Sequence, residues 1–229
     1  MTLPACHTWP DFDNDGNDTG ATVIGRDSAI AIVLDGPHRD AFIALGHDAM
    51  SCDLLPTDKP GPHHQGDVFD VLGDGWDLMI AHPPCTYLCS SGLHWNKRYP
   101  ERAQKTADAL AFVQRLMDAP IARIAIENPI GRIGTAIRKA DQIIQPYQFG
   151  HDASKQTALW LKNLAPLTPT QFVAPRMVVT PSGKPASRWA NQCDNYGQDK
   201  LSPSPDRWKL RSTTYQGIAD AMAQQWGQV

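Results

Sequence analysis

Short apolar runs recur along this chain of 229 residues, and their spacing limits the folds open to it. Residues 28–34 (SAIAIVL) form a continuous apolar run, the pattern of a strand buried on both faces of a parallel sheet. Residues 48–53 (DAMSCD), 77–81 (DLMIA), 123–126 (RIAI) and 156–161 (QTALWL) read as further strands. Between them lie helical stretches. Residues 39–45 are closed by Gly46, a helix-ending glycine. Residues 100–119 carry Ala107, Leu110, Ala111, Val113, Leu116 and Met117 on or near one face, and residues 217–226 form a last helix. Strands alternating with helices predict an α/β fold with a mostly parallel sheet, whose ligands sit at the carboxyl ends of the strands.

A chain of this length with 41% hydrophobic residues buries one substantial core. The pattern divides it into a flexible acidic tail (1–27), a catalytic α/β domain (28–167), a small insertion (168–207) and a C-terminal helix returning to the domain (208–229). Within the tail, Asp11, Asp13, Asp15 and Gly16 match the start of a calcium loop, but Thr22 stands where a bidentate Glu is needed, so disorder is expected. No apolar run reaches the ~20 residues of a membrane span, and no secretory signal is legible, so a cytoplasmic protein is expected. The five cysteines are irregularly spaced and fit free thiols in a reducing compartment. Charge is asymmetric. Residues 1–77 hold fourteen aspartates against three cations, a balance of −11, whereas 168–211 carry a balance of +4. A basic C-terminal region fits a polyanionic partner, or a solvated loop.

Two strand ends carry chemistry. The first run stops at Pro83 and Pro84 and delivers Cys85; the second ends in Glu127 and Asn128. Prolines fix φ and stiffen the turn that presents the thiol. A thiolate and a carboxylic acid at neighbouring strand ends can add to C6 of a pyrimidine while holding N3. Zinc is the competing reading, with His82, Cys85, Cys89 and Cys193 as ligands, but the Cys-x3-Cys spacing is poor for it. A zinc deaminase needs His-x-Glu, which the chain lacks. No metal is expected.

Strand-Pro-Pro-Cys followed about forty residues later by strand-Glu-Asn resembles the DNA (cytosine-5) methyltransferases, in a shortened form like those encoded by phages and prophages. The resemblance spans roughly residues 29–229 and implies a Rossmann-like S-adenosylmethionine-dependent methyltransferase fold. It implies that Cys85 is the nucleophile, that Glu127 binds N3 and the exocyclic amine, and that Asn128 orients the nucleophile loop. For S-adenosylmethionine it implies Asp53 at the ribose and Asp67 at the adenine, with Asp35, Gly36, Leu54, Val68, Pro83 and Gly217 around them. For DNA it implies Ser91, Lys97 and Arg98 after the nucleophile, and Lys155 and Lys162 where the family carries Gln-x-Arg-x-Arg. Several positions depart from the family. The first glycine loop is reduced to Leu34-Asp35-Gly36-Pro37-His38, Glu-Asn-Pro replaces Glu-Asn-Val, and Ile218 replaces the Asn of the last motif. Two alternatives stay open: modification of a free pyrimidine nucleotide, favoured by the small insertion, and a nucleic-acid-binding protein on a decayed methyltransferase fold, favoured by the eroded glycine loop.

Overall fold

In the computed structural model residues 22–26, 37–57, 59–180, 182–192 and 214–228 are described, with backbone path and pairing alone for 22–26. The strands are β1 (Thr22–Arg26), β2 (Asp48–Asp53), β3 (His63–Gln65), β4 (Leu78–Ala81), β5 (Arg123–Pro129), β6 (Gln142–Ile144), β7 (Thr157–Lys162), β8 (Arg176–Val179) and β9 (Pro185–Arg188). The helices are α1 (Pro37–Ala44), α2 (Pro100–Met117), α3 (Ile133–Ala136) and α4 (Gln216–Trp226), joined by short 3₁₀ turns.

Seven strands form one sheet in the order β3-β2-β1-β4-β5-β7-β6, and β8 and β9 make a separate hairpin inside the expected insertion. Strand β2 runs parallel to β3, and β4 parallel to β5, while β1 is antiparallel to both neighbours and β7 antiparallel to β5 and β6. Five strands, β2 to β6, therefore point one way and two point back. The order reverses between β1 and β4, and in open α/β sheets that reversal is where ligands bind.

The centre of the sheet differs from expectation. The strand predicted at 28–34 lies outside the described residues, and Thr22–Arg26, inside the predicted tail, pairs with β2 and β4. Thr22, Val23 and Ile24 favour extended backbone, but three such residues next to an Asp/Asn/Gly run are too few to signal a strand.

Strands β4 and β5 are buried on both faces: Leu78 to Ala81 and Ile124 to Ile126 are at most 1% exposed. Helix α2 buries Thr106, Ala109, Val113 and Leu116 at 3-4-3 spacing, and its Ala109, Val113 and Leu116 join the same core as the strands. Ala107 and Ala111, expected on that face, are exposed; small alanines do not decide which side turns inward. Pro100 at the first helical position and Glu101 beside it suit the amino end of α2. Helix α1 ends at Gly46, whose φ of 88° needs a residue without Cβ. Helix α4 packs on α1 and buries Ile218, Ala219, Ala221, Met222, Ala223 and Trp226. Among the described residues no helix is long and apolar enough to cross a membrane.

Candidate active site

Parallel pairing of β4 with β5 sets Ala81 beside Ile126, so the next residues, His82 and Glu127, emerge together at the carboxyl ends. His82 Nδ1 lies 3.4 Å from Glu127 Oε2. Beyond His82 the chain turns through Pro83 and Pro84 to Cys85, which is half-buried. The Cys85 carbonyl accepts from the N–H groups of Leu88 (2.9 Å) and Cys89 (2.8 Å), closing a tight turn over the buried Leu88.

Three neighbours hold that turn. Asn128, 2% exposed, donates from Nδ2 to the Pro83 carbonyl at 2.6 Å. Arg102 in the first turn of α2 donates to the carbonyls of Thr86 (2.9 Å) and Gly92 (3.3 Å), with its guanidinium over the Tyr87 ring. Thr106, one turn on, donates to the Tyr87 carbonyl at 3.1 Å and accepts from Asn96. After β5 the chain crosses back: Gly131 bridges Cys89, and the Arg132 N–H donates to the Leu88 carbonyl at 2.6 Å. A Cβ at Gly131 would run into that same carbonyl oxygen, so the crossing requires glycine.

Burial sets the electrostatics. It raises the Glu127 carboxyl above its ordinary value of 4.5, against the opposing charges of Lys155 and then His38. It lowers His82 to about 3, with Lys155 acting in the same sense. It lowers His38 to about 3 as well, with His82 reinforcing and Glu127 opposing. With its imidazole lowered to about 3, His82 is uncharged at neutral pH and its contact with Glu127 is not an ion pair, despite the short distance. His38 opens α1 and meets His82 edge-on, ring centroids 4.9 Å apart. Cys52 is no rival nucleophile: burial, then Asp53, Asp67 and Asp70, push its thiol up to about 12.

The predicted residues divide. Cys85, Glu127, Asn128 and Pro83 come together at the ends of β4 and β5. Lys155 joins them, because β7 runs backwards and Thr157 pairs with Pro129. Lys162 does not. It lies at the other end of β7, paired with Ile124, and donates to the Ala119 carbonyl. Ser91 Oγ sits 3.2 Å from Cys89 Sγ, and Lys97 and Arg98 are exposed on the following 3₁₀ turn, Arg98 over the Trp95 and Tyr99 rings.

Of the residues expected around a cofactor, Asp53 ends β2 and accepts from the Leu55 N–H at 2.8 Å. Asp67 follows β3 and caps the next 3₁₀ turn, accepting from the Phe69 N–H at 3.0 Å. Leu54 is exposed and Val68 buried beside them. Gly217 begins α4 against Phe149 and His151, where its N–H donates to His151 Nε2, so it belongs to the β6–β7 side. Asp35, Gly36, Asp11, Asp13, Asp15 and Cys193 lie outside the described residues.

His38 carries no role legible in the sequence, where His82 stands as a candidate ligand only beside cysteines. Aligning the ends of β4 and β5 was enough to pair His82 with Glu127; nothing in the sequence announced His38. No protein-family model, no curated protein and no solved structure matches the chain.

Proposed function

We propose that the chain is a DNA cytosine C5-methyltransferase that works through a covalent bond between Cys85 and its target base. The observation that carries the reading is the hydrogen bond from Asn128 to the Pro83 carbonyl, which fixes the Cys85 turn to the strand that presents Glu127. The strand order supports it too, since β3-β2-β1-β4-β5 is the order of doubly wound nucleotide-binding sheets, here with β1 reversed.

The chemistry follows from the two side chains. The Cys85 thiolate adds to C6 of cytosine; an S–C6 bond forms and an electron pair moves to C5. Glu127, whose carboxyl burial raises, donates its proton to N3 and offsets the charge that develops on the ring. Once C5 carries its new methyl group, water takes the C5 proton, the S–C6 bond breaks to restore the double bond and the thiolate, and N3 returns its proton to Glu127.

S-adenosylmethionine supplies the methyl group when bound. The described residues fit it. Asp53 and Asp67 place carboxylates at the ends of adjacent parallel strands, with Asp53 registered against Gln65, on the same sheet end as Cys85. Asp53 would take the ribose and Asp67 the adenine. Lys155, Lys97 and Arg98 offer cations for target phosphates. The first test is trapping on a duplex carrying 5-fluorocytosine with S-adenosylmethionine present, read by denaturing gel and mass spectrometry. A covalent adduct that vanishes in Cys85→Ser is expected. An adduct formed on 5-fluoro-dCMP but on no DNA would replace DNA by a free nucleotide; none on either would end the covalent reading.

A further inference from the structure

We infer that His38, His82 and Glu127 form a binding site for one divalent first-row transition metal ion of the zinc class. Their ligating atoms lie within 4.8 Å of one another. The His82 Nδ1 to Glu127 Oε2 distance of 3.4 Å is already the separation of two ligands ~2.1 Å from a tetrahedral zinc. Two further observations point to a ligand. His38 is wholly buried, yet among the described residues neither of its ring nitrogens has a hydrogen-bond partner. Buried polar atoms are ordinarily satisfied, and an ion held by His82 Nδ1 and Glu127 would give one of those nitrogens the partner it lacks. The three residues also come from separate, well-anchored places: the start of α1, the end of β4 and the end of β5. Two imidazoles and a carboxylate with a fourth position open form the ligand set of catalytic zinc sites and of mononuclear iron sites.

This set is not the one weighed from the sequence, which joined His82 to cysteines. It also goes beyond the methyltransferase reading and does not need it: Glu127 cannot meet a cytosine ring and a cation together, so metal and base exclude each other. Lys155 opposes the ion, because its charge reaches both His82 and Glu127.

The test is titration of the chelator-treated full chain with Co²⁺, followed by its visible absorption, then competition with Zn²⁺ and with Mg²⁺. We expect a single Co²⁺ per chain, displaced by Zn²⁺ and untouched by Mg²⁺. Affinity should fall by at least about tenfold in His38→Ala and in Glu127→Gln, each checked for folding by circular dichroism. Lys155→Gln should bind more tightly, a sign that loss of folding cannot mimic. No uptake by the parent chain, or unchanged affinity in the folded His38→Ala and Glu127→Gln variants, would overturn the site. Either result leaves the trapping experiment on Cys85 untouched.

Discussion

At the residue scale, Asn128 and Glu127 sit side by side and are expected to fail differently. Asn128 spends its amide on the Pro83 carbonyl inside the core. Asn128→Ala leaves that buried acceptor unpaired and should cost about 1–3 kcal/mol, measured by urea unfolding, while slowing adduct formation on 5-fluorocytosine. Equal stability would mean that the hydrogen bond does not hold the turn. Glu127→Gln keeps the shape but cannot pass a proton to N3, so turnover should drop by about 10²–10⁴-fold with stability nearly intact. The pH profile separates proton donation from mere positioning. A carboxyl raised by burial is protonated at low pH and loses its proton as pH climbs through its raised value. The parent should therefore show an alkaline fall in rate that Glu127→Gln lacks; the same fall in both would assign it to another group.

At the element scale, what matters is which strand end faces the site, and there the sequence was only partly legible. Apolar runs announce strands, and the Pro-Pro and Glu-Asn pairs announce their ends, so the place of Cys85 and Glu127 at neighbouring strand ends is legible with no structure. Strand direction leaves no such mark. Lys155 and Lys162 flank one apolar run, and only its antiparallel pairing puts the first at the site and the second at the far end. His38 was illegible because its partners lie more than forty residues away and meet it through tertiary packing. Gly131 was equally silent, since its need for glycine comes from the Leu88 carbonyl crossing it. Gly131→Ala should push the Cys85 turn off the end of β5, costing about 1–3 kcal/mol and slowing adduct formation more than the stability loss alone accounts for. An adduct rate equal to the parent's would show that the crossing does not aim Cys85.

At the scale of the whole molecule, five strands pointing one way collect polar groups at one end of an apolar sheet, and the core closes over two of them. His38 and His82 are neutral in the fold, held near 3, whereas an unfolded chain protonates them below about 6.5. The unfolded state therefore binds more protons between those limits, and stability must fall as pH drops from 6.5 toward 3. Glu127 acts in the opposite sense. Its raised pKa costs stability as pH rises above its ordinary 4.5, so it cannot be the source of an acid loss. Chelator-treated protein should melt at steadily lower temperature from pH 7 to pH 4, and His38→Leu, which fills the space with an apolar side chain, should flatten that slope. A slope unchanged in His38→Leu would move the acid sensitivity elsewhere and deny that the fold confines a neutral imidazole there. The flattening would tie the same buried histidine to the stability of the sheet end on which Cys85 and Glu127 depend.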